Sequence, residues 1–91
     1  MSHYHHSVGE YIQFLQSKGF PLKEDAIGFI YFGMQLTEAS ELLVITAIEI
    51  TLKAQKRFDG SFYLSLLENM KAANITNKNE AYQFAKEKNI L

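Results

Sequence analysis

The chain has 91 residues, 47% of them apolar, and a formal charge of −1 at pH 7. This composition is typical of one small globular domain and excludes a disordered chain. Because there is no cysteine, disulfides, thiolate metal sites and a thiol nucleophile are excluded. The polar N-terminus has no apolar signal segment, and no apolar stretch is long enough to cross a bilayer. We therefore expect a cytoplasmic protein without a membrane partner.

The first predicted helix runs from about Val8 to Lys18. Ser7 followed three residues later by Glu10 is the capping-box pattern, which marks a helix start. Gly19 is placed where a helix commonly ends.

The second predicted helix covers about Lys23 to Gln35. The segment 27–33 is also compatible with a buried strand, because it is rich in aromatic and β-branched residues. We favour a helix, because Glu24 and Asp25 in its first turn suit the positive end of the helix dipole. Gly28 and Gly33 each weaken this helix, and they either permit a close helix crossing or, at Gly33, end the helix early.

A third helix is predicted from Glu38 to about Lys56, with Thr37 as its cap. It is apolar almost all round, as expected for a helix at the centre of a domain. Asp59 or Ser61 caps a fourth helix, which ends near residues 73–74.

Asn77, with Glu80 three residues later, caps a fifth helix that extends from Lys78 to about Lys88.

The sequence therefore predicts an all-α fold, a compact bundle of four to five short helices around the 38–56 helix. We expect a single domain at residues 7–89 and a mobile tail at residues 1–6. The predicted core residues are Phe14, Leu15, Ile27, Ile30, Leu43, Ala47, Ile50, Leu66, Leu67, Met70, Tyr82 and Phe84.

Two groups of residues are candidates for metal or acid–base chemistry. His3, His5 and His6 could bind a transition metal, but a specific site needs ordered ligands, so we expect a solvated tail or part of a cloning tag. The acid pairs 24–25 and 38/41 fall at predicted helix starts, where the helix dipole explains them. No hydrolytic triad, phosphate-binding glycine loop or metal-loop spacing is present. We predict a protein that is not an enzyme and has no cofactor and no small-molecule substrate.

The first functional hypothesis rests on the seven Phe and five Tyr residues, more rings than so small a domain hides easily. Phe29, Tyr31 and Phe32 occupy several faces of one predicted helix, so we expect part of this set to be exposed. Exposed apolar patches tend to be interfaces. The sequence predicts a non-catalytic interaction module, which acts as a homodimer or as an adaptor for another protein.

The alternative hypothesis is weak binding of single-stranded nucleic acid. Residues 51–91 hold seven bases and four acids. Basic side chains neutralise phosphates, and aromatic rings stack on unpaired bases. The same residues are also compatible with a structural role alone. Basic side chains are favourable at the C-terminus of a helix, and the aromatic rings beside them could be buried in the core. The candidate contacts are Lys53, Lys56, Arg57, Phe62 and Lys71.

The stretch from Ala47 to Ala81 resembles the C-terminal domain of the DnaD/DnaB-type primosome proteins, which load the replicative helicase in low-GC Gram-positive bacteria. The resembling segments are 47–52, Lys56-Arg57, 62–71 and 74–76. In that family a helix ends near Lys or Lys-Arg, the next carries Tyr-x-x-x-Ile-x-x-x-Trp, and a Gly-Ile-x-Thr turn follows.

On this chain the family pattern falls on Phe62, Leu66 and Met70, so all three of its positions are changed, and Asn74 stands for the glycine of the turn. The resemblance implies a helical fold, binding to single-stranded DNA and replication partners. The size of the chain implies a small standalone relative.

Overall fold

A computed structural model describes residues 7–20 and 22–91 of the chain. Within these residues the chain forms five helices and no strand. The predicted all-α class is confirmed, and the segment 27–33 is helical rather than extended. Among the described residues, no helix has both the length and the apolar character needed to cross a membrane. The helices are α1 (Val8–Ser17), α2 (Glu24–Thr37), α3 (Glu41–Gln55), α4 (Gly60–Ala72) and α5 (Lys78–Glu87).

Short polar side chains begin three of the helices as the sequence predicts. The Ser7 hydroxyl accepts the backbone N–H of Glu10 at 3.1 Å at the start of α1. Asp59, rather than Ser61, caps α4, and Asn77 caps α5. Each cap satisfies a backbone donor that the first helical turn leaves unpaired. These local patterns fix where the helices start.

The predicted cap of α3 at Thr37 is wrong. Thr37 ends α2 instead, where its hydroxyl donates to the carbonyl of Gly33 at 2.8 Å, so Gly33 does not end the helix. Glu38 then adopts a left-handed conformation with φ 56°. Ser40 begins α3, and its hydroxyl accepts the N–H of Leu43 at 3.1 Å. A threonine hydroxyl can donate to the carbonyl four residues earlier in the same helix. A threonine therefore fits the end of a helix as well as the start of one.

The helix α3 lies at the centre of the bundle and packs against each of the other four helices. Its two buried threonines donate their hydroxyls to carbonyls of the preceding turn, at 2.8 Å for Thr46 and 2.7 Å for Thr51. This pairing lets the helix be buried almost all round without an unsatisfied polar group. Its buried residues are Leu43, Val44, Ile45, Thr46, Ala47, Ile48, Ile50 and Thr51.

Most of the predicted core residues are buried, but the prediction for Phe14 is wrong. Phe14 is 37% exposed, because the face of α1 that packs against the bundle carries other side chains. Ile27, Tyr82 and Phe84 are half-buried at the edge of the core. The packed region also includes Ile90, just beyond the predicted 7–89 domain. The buried side chains of α1 are Val8, Tyr11, Ile12 and Leu15.

Candidate interaction surface

The outward face of α2 carries large apolar side chains. Phe29, Phe32 and Leu36 follow one another at steps of three and four residues, a spacing that places them on one side of a helix. Phe32 and Leu36 are each 54% exposed, and Phe29 is 36% exposed. The rings of Phe29 and Phe32 meet edge to face, with centroids 6.2 Å apart. We call these three residues the outer stripe of α2.

The inner face of the same helix is already filled. Ile30 is fully buried, and its carbonyl accepts the hydroxyl of Tyr63 at 2.8 Å. A Cβ atom on Gly33 would lie 2.9 Å from Cε2 of Tyr63, so α2 and α4 cross closely at this glycine. Phe32 and Leu36 are therefore additional to the contacts that attach α2 to the bundle. Phe29 also borders the start of α4, where its ring would lie 3.3 Å from a Cβ atom on Gly60.

A notch lies beside the outer stripe at Gly28. A Cβ atom on Gly28 would have no neighbour within 4 Å, and the residue is exposed. Gly28 precedes Phe32 by four residues, as Phe32 precedes Leu36, so the three lie along one row of the helix surface. The notch and the protruding Leu36 thus lie on opposite sides of the Phe32 ring along the helix.

The structure separates the three predicted interface residues. Phe29 and Phe32 lie together in the outer stripe. Tyr31 is 38% exposed but points toward the start of α1, where its hydroxyl lies 3.6 Å from the position of a Cβ on Gly9. Sequence reasoning missed Leu36, although its four-residue spacing from Phe32 was a signal that could have found it.

A groove adjoins the outer stripe at Phe29. It has a volume of about 840 Å³ and lies between the α1–α2 loop, the start of α2 and the end of α3. Phe20, which is 48% exposed and was not predicted as a site residue, lies in this groove with Phe29. Lys56 and Arg57 line the same groove. Aromatic rings and cations therefore share this part of the surface.

Acids in the groove reduce its positive charge. Asp25 and Asp59 line it beside the cations, and a guanidinium nitrogen of Arg57 lies 3.9 Å from a carboxylate oxygen of Asp59. Lys56 ends α3 in a left-handed conformation, and its ammonium group donates to the carbonyl of Lys53 at 3.0 Å. The charged groups of Lys56 and Arg57 are thus partly engaged in contacts within the chain.

The other predicted nucleic-acid contacts lie outside the groove. The ammonium group of Lys53 lies 4.8 Å from the ring centroid of Tyr82. Lys71 donates to the carbonyl of Glu38 at 3.3 Å, which places its ammonium group beside the end of α2. Phe62 is half-buried against the core. The five predicted contacts therefore do not form one continuous patch.

A half-buried polar pair, Glu49 and Tyr82, links α3 to α5. The hydroxyl of Tyr82 donates to the carboxylate of Glu49, and the ammonium group of Lys78 lies 3.4 Å from the same carboxylate. Burial, and then the hydrogen bond to Glu49, raise the pKa of the Tyr82 phenol. The pair holds the two helices together and leaves the phenol neutral.

The residues of the predicted acid pairs lie at or beside helix ends. Glu41 accepts the backbone N–H of Val8 at 2.9 Å and so supports the start of α1, whereas Glu38 lies in the turn before α3. Glu24 and Asp25 lie in the first turn of α2, as predicted. Within residues 7–20 and 22–91, no three histidine or acidic side chains are grouped so that they could hold a metal ion. His3, His5 and His6 lie outside the described residues.

The positions of the primosome-like pattern lie mainly in the core. Met70 is fully buried and Leu66 is nearly so, while Phe62 is half-buried. In this fold, a side chain at position 70 packs inside the bundle and has no access to an unpaired base.

The family model of DUF6123, a family of unknown function, matches residues 3–91. No curated protein and no solved structure matches the chain.

Proposed function

The chain belongs to DUF6123, a family of unknown function, and we propose that it is a non-catalytic protein–protein interaction module. In this proposal the protein docks on its partner through the outer stripe of α2. The observation that carries the proposal is the exposure of Phe32 and Leu36, both at 54%, beside Phe29 on one helix face.

The size of the patch supports this proposal. A fully exposed large apolar side chain presents roughly 200 Å², so the three residues of the outer stripe leave on the order of 300 Å² of apolar surface in water. Patches of about 300–600 Å² are the largest found on typical monomers and are often functional. Large aromatic residues are also those that contribute most at protein interfaces. A protein surface is therefore the natural ligand for this face.

Site-specific photo-crosslinking in the cell that produces the protein tests the proposal. A photoreactive amino acid replaces Phe32, and a matched variant carries it in place of the exposed Gln83 on α5. We expect protein adducts of discrete mass from position 32 and a clear excess over position 83. The adducts should disappear when Leu36→Glu is added to the position-32 variant. Equal or absent crosslinking at the two positions would contradict the proposal.

A second candidate function is weak binding of single-stranded nucleic acid, as in DnaD-like domains. The observation that favours it is that Phe20 and Phe29 share one groove with Lys56 and Arg57. Rings and cations in one groove match the two requirements of single-strand binding. Only two of the predicted cations lie there, so the expected affinity is low and strongly dependent on salt.

Fluorescence anisotropy with a labelled oligonucleotide at low salt tests this second function. The double variant Lys56→Gln, Arg57→Gln should lose binding, whereas the control Lys86→Gln, which removes a lysine outside the groove, should keep it. A flat titration of the unaltered protein would reject nucleic-acid binding.

A further inference from the structure

We infer that the partner of the outer stripe is a second copy of this chain, packed with its α2 antiparallel to the first around a two-fold axis at Phe32. The inference rests on the proposed function of α2 as a docking face and names its occupant. Three features of α2 and its surroundings carry it: a self-complementary shape, a lysine of α4 beside the end opposite to Asp25, and an apolar area that suits a weak dimer.

The shape of the helix face complements itself. Gly28 and Leu36 lie four residues before and four residues after Phe32. A two-fold axis at Phe32 therefore sets Leu36 of each copy opposite Gly28 of the partner subunit. Gly28 has no neighbour within 4 Å of where its Cβ would be, while Leu36 is 54% exposed. The protruding side chain of one helix thus enters the notch of the other.

The charges favour the antiparallel direction. Glu24 and Asp25 lie in the first turn of α2. At its other end lie the exposed Glu38 and the ammonium group of Lys71, which donates to the Glu38 carbonyl at 3.3 Å. In the antiparallel pair, Lys71 of each copy comes next to Asp25 of the partner subunit, and the two helix dipoles oppose each other. A parallel pair would instead bring like charges together.

The available area indicates a weak dimer. Two copies would cover roughly 600 Å² of apolar surface, which is well below the total of about 1,200 Å² at the lower limit for stable specific complexes. We therefore expect association that depends on concentration rather than a permanent dimer.

Sedimentation equilibrium of the unaltered chain, from about 10 µM to about 1 mM, is the first test. The inference requires a monomer–dimer equilibrium within this range, and a chain that stays monomeric throughout would overturn it. A monomeric chain that still gives crosslinks from position 32 would overturn the second-copy inference alone, because the docking face would then serve another protein.

The variant Gly28→Gln tests the notch without harming the fold. Its side chain meets open space in the monomer, and it replaces glycine by a better helix former, so the chain at low concentration should melt at a higher temperature. Dimerisation should be lost, because the notch is filled. The control Asn79→Gln, at an exposed position of α5, should dimerise as the unaltered chain does. Unchanged dimerisation of Gly28→Gln would overturn the inference.

Charge reversal tests the direction of packing. Lys71→Glu and Asp25→Lys should each weaken the dimer by on the order of tenfold, since each places like charges together at two symmetric positions. The double variant restores opposite charges and should regain most of the affinity. A double variant no tighter than the single ones would rule out the antiparallel arrangement.

Discussion

Gly28 and Gly33 lie five residues apart on α2 but meet different surroundings. A methyl group at Gly28 would face open space, whereas at Gly33 it would meet Tyr63 at 2.9 Å. Tyr63 is fully buried and donates its hydroxyl to Ile30, so its ring has little room to move. The same substitution should therefore have opposite effects at the two positions.

We expect Gly28→Ala to raise the free energy of unfolding by about 0.5–1 kcal/mol, through helix propensity. Gly33→Ala should lower it by about 1–3 kcal/mol, because overpacking outweighs the gain in propensity. Urea denaturation at low protein concentration measures both changes, and effects of the same sign would contradict the packing described for α2.

Buried phenols make the stability of the protein depend on alkaline pH. Burial raises the pKa of Tyr11, Tyr63 and Tyr82 above the usual value of about 10. The folded chain therefore keeps these phenols neutral at a pH where the unfolded chain loses their protons. The stability they contribute is fully present below pH about 10 and falls as the pH rises toward the folded values.

Above pH about 10, each of these tyrosines contributes a slope that approaches about 1.4 kcal/mol per pH unit, because the folded chain keeps a proton that the unfolded chain has lost. Urea denaturation between pH 8 and 11 measures the total slope. The variant Tyr63→Phe should reduce the total slope by the contribution of one tyrosine. An unchanged slope in that variant would show that Tyr63 does not stay neutral in the fold.

At the scale of the helices, the junction between α2 and α3 tests the role of the caps. Ser40→Ala should lower the free energy of unfolding by about 1 kcal/mol, because the N–H of Leu43 loses its acceptor. Thr37→Ala removes the hydroxyl's hydrogen bonds to the Gly33 carbonyl and from the Ala39 N–H, but it should cost less, because alanine regains helix propensity at the end of α2. Thermal unfolding of the two variants measures the difference, and a larger loss for Thr37→Ala would contradict the position of the cap.

The helices could be predicted from the sequence, because each begins at a local pattern of polar residues followed by a periodic apolar run. The junction at residues 37–40 could not, since Thr37 and Ser40 are both good caps. The choice depends on the left-handed turn at Glu38. Phe14 was misplaced for a related reason: it lies beside Tyr11 and Leu15 in the sequence, and periodicity alone did not decide which of them faces the core.

The candidate surface could be predicted only in part. Phe29 and Phe32 were identified from the number of rings on one helix, which is a local property. Tyr31 points away from them, toward α1, and Lys71 lies beside the end of α2, far along the chain. Both placements depend on how the helices pack against one another, and local sequence patterns do not predict that packing.

At the scale of the whole molecule, the described chain presents one large apolar helix face next to a groove with mixed charge. The central helix is enclosed by its four neighbours, so the fold does not require the outer stripe to fill its core. This independence is the central claim, because both the docking face and the second copy of the chain depend on it.

The free energy of unfolding of the double variant Phe32→Gln, Leu36→Gln tests that claim most directly. It is measured by urea denaturation at a concentration where the unaltered chain is monomeric. We expect a change within about 0.5 kcal/mol, as for surface substitutions that remove no packing contact. A loss of more than about 2 kcal/mol would show that the two side chains stabilise the bundle itself, and would contradict the account.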